Sequence, residues 1–153
     1  MLANHRFEVN IIKYTRHGKY HTRLYSIWHN MKNRCYYNKY PRYDDYGGRG
    51  IRICDEWRDN FISFYNWAMD NDYQEGLTID RIDNEGNYEP LNCRWVTSKE
   101  NGRNKRNNRN ITYNGETHCL SEWCEILGLN YRTVQGRLRL NWPIEKALEM
   151  RCV

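Results

Sequence analysis

Residues 77–104 combine patterns that strongly limit the folds open to this chain. Apolar Leu77 and Ile79 alternate with polar residues, which is typical of a short strand. A loop rich in glycine, asparagine and proline follows, and the run CRWVT after it is again β-prone. The polar stretch that comes next is helix-like, with Thr97 or Ser98 as its N-cap. The sequence therefore predicts a strand, a loop, a second strand and a helix, within an α+β fold.

Helical spacing marks two segments before this unit. Residues 22–36 repeat apolar side chains at intervals of three and four, which predicts a helix with one apolar face. Residues 55–71 return to that spacing and predict a second helix, which Asp55 caps. The short apolar runs at residues 7–14 and 51–54 are predicted to be strands.

Residues 111–153 carry the signals of a small separate module. Asn114 and Gly115 lie between two β-prone runs and predict a hairpin. Two short helices follow, separated by Gly128 as a stop signal and Asn130 as a cap. Helices joined by so short a turn form the helix-turn-helix plan. Their shared apolar seam is predicted to consist of Trp123, Leu127, Val134 and Leu138.

The helices of this module also carry a polar face. Ser121 is the predicted cap of the first helix, and Pro143 lies near the first turn of a third. The second helix exposes side chains able to reach bases or phosphates in a major groove. These are Arg132, Thr133, Gln135, Arg137 and Arg139. A plain three-helix packing module is the alternative interpretation.

Positive charge is concentrated in two parts of the chain. The formal net charge is +5 over 153 residues, but residues 1–54 carry +8, residues 98–110 carry +4 and residues 55–76 carry −5. The basic parts are interleaved with aromatic residues, of which the chain has 13 tyrosines and 6 tryptophans. Such a surface suits a nucleic acid, whose phosphates can be paired and whose bases can be stacked upon. The alternative is a basic surface that binds no nucleic acid. Within the second basic part, residues 105–110 have no apolar side chain and are predicted to be a linker.

The cysteines and the apolar content indicate the compartment. No apolar run is long enough to span a bilayer or to serve as a secretion signal, so a cytoplasmic protein that stays away from membranes is expected. In a reducing compartment the six cysteines are expected to be small buried hydrophobic residues. The alternative is that Cys35, Cys54 and Cys93 join a histidine around a structural zinc ion.

Asp80, Asn92 and Asn101 form a candidate catalytic constellation. Hydrolysis of a phosphodiester needs charge balance at the leaving oxygen and activation of a water molecule. A hard ion such as Mg²⁺ accepts carboxylate and amide oxygens and keeps waters for the substrate to displace. Asp80 and Asn101 are predicted to meet at one point, with Asn92 bracing the loop between them. The alternative is that the three residues have separate structural roles. Asp80 would then pair with Arg81 or Arg94, Asn92 would turn the chain, and Asn101 would be an exposed helix residue.

The same stretch resembles the ββα-metal (His-Me finger) unit of HNH endonucleases, in particular phage and intron-encoded homing endonucleases. Asp80 matches the first motif position, Asn92 the loop position and Asn101 the helix position. YSIWHNMKNRCYY and YGGRGIRICDEW look like the segments that accompany this motif in a phage subgroup. Residues 111–148 are similar to nuclease-associated helix-turn-helix modules.

The resemblance implies a nuclease domain over residues 1–104, with an N-terminal helical and loop elaboration. The basic linker at 105–110 and a DNA-binding module at 111–153 follow. The implied function is a metal-dependent DNA endonuclease of homing or nicking type, acting as a monomer or homodimer in a phage-infected cell. Asp80 and Asn101 would hold Mg²⁺ or Mn²⁺. Double-stranded DNA would be held by Arg49, Arg94, Arg103, Lys105, Arg106, Arg132, Gln135, Arg137 and Arg139.

Arg81 departs from the family pattern, in which a histidine at this position polarises the water. A guanidinium remains protonated and cannot act as a base, so Arg81 is predicted to clamp the scissile phosphate. His17 is the preferred candidate for the base. The alternatives for the base are His21, His29, or a metal-bound water acting without a protein base. Asp83 is a candidate for an extra metal ligand or for a residue that holds the ligands in place. Two other functions stay open: a DNA-binding regulator or inhibitor that does not cleave, and an RNA-binding protein that stacks bases on its tyrosines.

Overall fold

The computed structural model describes residues 18–149. The strand predicted for residues 7–14 and the candidate base His17 lie outside the described residues.

Helix α1, Arg23–Tyr36, forms the wall of the main core. The Thr22 hydroxyl caps it by accepting a hydrogen bond from the Tyr25 amide at 3.2 Å. The apolar face predicted from the spacing is confirmed, because Leu24, Trp28, Met31 and Cys35 are all buried. The indole N–H of Trp28 donates to the carbonyl of Trp57 at 2.6 Å, which ties α1 to the segment that follows.

The segment after α1 contains two 3-10 turns, Tyr43–Asp45 and Gly47–Arg49, but no strand. The strand predicted for residues 51–54 is wrong: Ile53 makes one isolated parallel bridge, to Tyr88. Its partner belongs to a loop, so the ladder cannot extend. Gly47 allows the close approach of α1, since a Cβ there would lie 2.1 Å from the carbonyl oxygen of Cys35.

The single helix predicted for residues 55–71 is also wrong, because the structure divides it into α2, Asp55–Arg58, and α3, Phe61–Asp70. The Asn60 side chain causes the division by accepting hydrogen bonds from the amides of Ile62 and Ser63 at 3.0 and 3.3 Å. Asp55 is not the cap, since Cys54 holds that position without a side-chain bond.

The predicted strand, loop, strand and helix are confirmed. Strands β1, Thr78–Arg81, and β2, Cys93–Val96, pair antiparallel. Helix α4, Ser98–Arg103, follows directly. Its start is a capping box, in which Thr97 and Glu100 each satisfy the other's backbone amide. Thr97 rather than Ser98 is therefore the cap.

The C-terminal part consists of a hairpin and three helices. Strands β3, Asn110–Tyr113, and β4, Glu116–Cys119, pair antiparallel; helices α5, Leu120–Ile126, α6, Tyr131–Arg139, and α7, Ile144–Ala147, follow. The predicted hairpin turn is confirmed: Asn114 and Gly115 have φ values of 51° and 83°.

The predicted caps in this part are only partly confirmed. The Asn130 side chain caps α6, and Gly128 lies just past α5 with a φ of 64°. Ser121, however, lies inside α5, and Cys119 occupies the cap position. The predicted apolar seam is confirmed, since Trp123, Val134 and Leu138 are buried with Leu127 packed against them.

Residues 18–149 form an α+β structure with two hydrophobic cores, one on either side of residues 105–110. The larger core joins α1, α2, α3 and β1, and the smaller one joins the hairpin to α5, α6 and α7. The connecting segment is tied to α4, because the Asn108 amide donates to the carbonyls of Gly102 and Arg103 at 2.9 and 2.7 Å. Between residues 18 and 149, no helix has the length and apolar character needed to cross a membrane.

Candidate functional site

A cavity of about 360 Å³, the basic cavity, opens beside the C-terminal ends of β1 and α4. Five of the side chains that line it are cationic, and one lining residue is acidic: Arg42, Arg49, Arg81, Lys105, Arg106 and Asp45. Four carboxamides, Asn84, Asn101, Asn104 and Asn107, complete the polar lining. Such a lining attracts a polyanion and offers it many hydrogen-bond donors.

Asp80 lies directly behind this lining, with its side chain only 4% exposed. The strand register places it opposite Arg94, whose Nε donates to Oδ2 at 3.0 Å. The Asn104 amide donates to both carboxylate oxygens, at 3.0 and 3.1 Å. A buried carboxylate needs such partners, because removing its charge from water without them costs at least several kcal/mol.

Asn104, rather than the predicted Asn101, shares the site with Asp80. Its amide contacts the carboxylate and also donates to the carbonyl of Arg81 at 2.7 Å. It is the C-cap of α4. The signal for it was in the sequence, since Asn101 and Asn104 are three residues apart and thus share one helix face.

Asn101 contacts β1 just before Asp80. Its amide donates to the Thr78 hydroxyl at 3.0 Å and to the carbonyl of Ile79 at 3.3 Å. Within the described chain, the predicted convergence of Asn101 and Asp80 is therefore replaced by that of Asn104 and Asp80. Asn101 still lines the basic cavity.

Arg81 is buried, 6% exposed, and its side chain lines the basic cavity. Its Nη1 donates to the carbonyl of Gly86 at 2.7 Å. Its guanidinium lies 5.1 Å from the ring centre of Tyr46 and 5.0 Å from that of Tyr88. These contacts hold the cation at the cavity while leaving further N–H donors for a phosphate.

Asn92 braces the loop between β1 and β2, as one of the sequence interpretations had it. Its Oδ1 accepts from the Asp83 amide at 2.8 Å, and its Nδ2 donates to the carbonyls of Asp83 and Asn87 at 3.1 and 2.8 Å. The loop must pass close to it at Gly86, where a Cβ would lie 2.6 Å from the Asn92 amide nitrogen.

No histidine of the described chain lines the basic cavity. The alternatives His21 and His29 are exposed; His21 lies just before α1, and His29 lies in the middle of α1, where it contacts Asn33. The Asp83 carboxylate accepts from the Glu85 amide at 2.9 Å and also does not line the cavity.

Asp45 is the acidic residue that the sequence interpretation missed. Its carboxylate lies between two cations, 2.6 Å from Arg42 and 3.8 Å from Arg106. The 3-10 turn that carries it has no periodic pattern, so only the fold places it at the cavity.

Of the three cysteines proposed for zinc, Cys35 and Cys93 are buried and Cys54 is half-buried. Burial raises the pKa of Cys35 to about 11 and that of Cys93 to about 12, and it also raises the pKa of Cys54. Among residues 18–149, no group of three or more histidine, cysteine or acidic side chains is suited to hold a metal ion.

Several of the basic residues predicted to contact DNA already bind protein groups. Arg49 pairs with Glu85, and Arg103 pairs with Glu122 and Glu125. Lys105 and Arg106 are exposed at the basic cavity, and Arg106 also lies 3.8 Å from Asp45.

On α6, Arg132 and Arg139 are exposed. Arg137 instead donates to the carbonyls of Ala147 and Glu149 at 3.0 and 2.8 Å, so it stabilises the end of α7. A second cavity of about 330 Å³ lies between α6 and the connecting segment, with Gln135, Arg139, Arg109 and Asn107 in its lining. Asn107 lines this cavity and the basic cavity alike, so the two adjoin.

No family model, curated protein or solved structure matches this chain.

Proposed function

We propose that this protein is a metal-dependent DNA endonuclease of the HNH type. The observation that carries the proposal is the buried Asp80 carboxylate at the end of β1, held against Asn104 behind a cavity lined by five cations. The proposal is supported by the contact between a carboxylate of β1 and the carboxamide that ends α4, beside a cavity lined by cations. That is the combination that phosphodiester hydrolysis requires.

Asp80 and Asn104 are the residues that fit a divalent cation. The two side chains are already in contact, and a half-turn of the Asn104 amide presents its oxygen instead of its nitrogen to the same point. One carboxylate and one amide oxygen are a sufficient protein ligand set for Mg²⁺ or Mn²⁺. When bound, such an ion neutralises charge on the leaving oxygen and acidifies a water molecule.

The remaining residues hold the substrate. Arg81 binds the scissile phosphate with donors that Gly86 leaves unused, and Asn92 keeps the loop between the strands in place. Lys105 and Arg106 hold neighbouring phosphates at the basic cavity, and α6 lies across the adjoining cavity to select the site.

A plasmid nicking assay tests the proposal. Supercoiled plasmid is incubated with the protein and Mg²⁺ or Mn²⁺, and conversion to nicked circle is measured. We expect Asp80→Asn and Asn104→Ala each to lower the rate by at least about a hundredfold, because each removes electrostatic stabilisation of the transition state.

Two further variants make the assay specific. Asp70→Asn, at the exposed end of α3, makes the same chemical change outside the site and should leave nicking unchanged. Asn101→Ala should have a smaller effect than Asn104→Ala. If Asn101→Ala has the larger effect, the ligand pair is the one predicted from the sequence and not the one in contact here.

A DNA-binding protein that does not cleave is the second candidate function. Two observations favour it: no described histidine lines the basic cavity, and both Asp80 oxygens already accept hydrogen bonds from protein groups. Tight, salt-dependent binding of duplex DNA without nicking under either metal would establish this function and contradict the first.

A further inference from the structure

A third cavity, about 290 Å³ in volume, lies on the other side of Asn101 and is termed the α1 cavity. One face of α1 lines it, with Arg23, Ile27, Asn30 and Arg34 spaced four, three and four residues apart. Thr78 and Asn101 line the opposite side. Ile27 also packs against the core, whereas Arg23, Asn30 and Arg34 form a polar stripe beside the apolar face of the same helix.

The lining of the α1 cavity has the composition of an anion site. It contains two arginines together with amide and hydroxyl groups, and no acidic residue of the described chain is part of it. Glu75 lies 3.7 Å from Arg23, but the Glu75 side chain is 76% exposed, so solvent screens this pair. An anion in the cavity would meet net positive charge.

Of the two arginines that line the α1 cavity, Arg23 pairs with Glu75, whereas Arg34 forms no ion pair within residues 18–149. Its Nε is buried and has no hydrogen-bond partner among the described residues. Its guanidinium lies 4.9 Å from the ring centre of Tyr46 and 5.5 Å from that of Tyr88. Arg81 lies over the same two rings, at 5.1 and 5.0 Å. Two guanidinium groups on one tyrosine pair repel each other, so a bound anion would stabilise the arrangement.

Asn101 and Tyr46 connect the α1 cavity to the basic cavity. Asn101 lines both, and Tyr46 lines the basic cavity while contacting the Arg34 guanidinium. A nucleic-acid strand with one phosphate at Arg81 thus has a second cationic position next to it.

We propose that the α1 cavity is a phosphate-binding subsite that takes a backbone phosphate of the bound nucleic acid, next to the phosphate held by Arg81. This inference rests on the proposed function in taking nucleic acid as the ligand. It assigns Arg34 and Asn30 a role in binding that no motif indicates, because the helical pattern of residues 22–36 predicts only the apolar face.

The test follows the side-chain Nε–Hε signals of the arginines by NMR in the absence of divalent metal. One titration uses a short DNA duplex, and a second uses inorganic phosphate, so that backbone and free phosphate are distinguished. We expect the duplex to shift the Arg34 signal together with that of Arg81. A duplex that binds and shifts Arg81 but not Arg34 overturns the proposal, and so does an Arg34 signal that shifts with inorganic phosphate but not with the duplex.

A matched pair of variants adds a readout that does not depend on the packing of Arg34. Asn30→Asp places a negative charge in the cavity at an exposed, nearly isosteric position, and should weaken duplex binding about tenfold at low salt. Asn38→Asp makes the same change at an exposed position outside the lining and should leave the affinity for the duplex nearly unchanged. Equal effects of the two variants overturn the proposal.

The outcome is independent of cleavage. An Arg34 shift with the duplex, in a protein that nicks no plasmid, supports the subsite and contradicts the endonuclease. Plasmid nicking in a protein whose Arg34 signal does not respond to the duplex supports the endonuclease and contradicts the subsite.

Discussion

Asp80 shows how a single residue sets the character of the site. The carboxylate is buried, yet the charge-assisted hydrogen bond from Arg94 and the amide of Asn104 satisfy both of its oxygens. The Asp80 side chain is almost wholly shielded from water. Its charge therefore acts through a lower dielectric than the charge of an exposed aspartate does. A cation that takes the place of the Asn104 N–H beside the carboxylate is therefore attracted more strongly than it would be by an exposed aspartate.

Asp45 lowers the positive charge of the basic cavity. It pairs with Arg42 and Arg106, two cations that would otherwise face a phosphate. We expect Asp45→Asn to raise the affinity for duplex DNA about threefold or more at low salt, and to steepen the salt dependence. Fluorescence anisotropy over a range of salt concentrations measures both effects.

Asp44→Asn is the control for this prediction, because Asp44 is an exposed neighbour that does not line the cavity. Unchanged affinity in Asp45→Asn would show that the pairs with Arg42 and Arg106 do not compete with DNA. A loss of plasmid nicking despite tighter binding would instead identify the Asp45 carboxylate as the base that Arg81 cannot supply.

At the scale of elements, Asn60 determines how the acidic segment folds. Its side chain satisfies two amides at the start of α3, which lets α2 end after one turn while Trp57 and Phe61 both stay in the core. The division therefore preserves the apolar face that the helical spacing predicted. It also leaves the acidic residues of α2 exposed, where Asp55 and Asp59 pair with Arg58.

Loss of this cap should destabilise the fold. We expect Asn60→Ala to lower the free energy of unfolding by about 1 kcal/mol, because the two amides lose their acceptor. Asn66→Ala, exposed in the middle of α3, is the matched control and should be neutral or slightly stabilising, since alanine favours helix interiors. Urea unfolding of both variants measures the difference. Equal changes would mean that the Asn60 side chain does not cap α3.

For the whole molecule, ion pairs between α4 and α5 connect the two parts of the described chain that carry the separate cores. Lys99 and Arg103 of α4 pair with Glu125 of α5, and Arg103 also lies 3.4 Å from Glu122. Glu125 and Lys99 are exposed, so each such pair contributes little and salt weakens it. The orientation of α6 relative to the basic cavity depends on these contacts together with the segment at residues 105–110.

His118 makes this part of the fold sensitive to pH. Its ring nitrogens lie 3.2 Å from Glu116 and 3.2 Å from Glu122, and hydrogen bonds to these carboxylates, first Glu116, raise the pKa of His118 above its ordinary value of 6.5. The folded state therefore binds the proton more tightly than the unfolded state. The resulting stabilisation is complete below pH 6.5 and is lost as the pH rises through the folded-state pKa.

We expect the substitution His118→Gln to lower the free energy of unfolding more in acid than in base. The difference in the free energy of unfolding between wild type and variant should be largest at about pH 5 and smallest at about pH 9. Denaturant unfolding at the two pH values measures it. A difference that is equal at both would show that the imidazole contributes by packing on Trp123, whose ring centre lies 4.8 Å away, and not by charge.

Local patterns predicted most of the elements. The 3.6-residue spacing of α1, the Asn-Gly turn of the hairpin and the Asn130 cap of α6 each act within a few residues, so they can be identified without the fold. The failures lie where a partner distant in the chain decides. Ile53 meets a loop residue, Tyr88, and not another strand, which no local pattern reveals.

The candidate site divides in the same way. The sequence by itself determined that Asp80 ends a strand, that a polar helix follows β2, and that both lie among cations, because these are properties of neighbouring residues. Only the tertiary structure decided that Asn104 and not Asn101 contacts Asp80, that Asp45 and Arg106 meet at one cavity, and that Arg34 and Arg81 share one tyrosine pair. These contacts depend on the angle and depth at which helices pack on the β1–β2 hairpin, and the side chains of the larger core set that packing together.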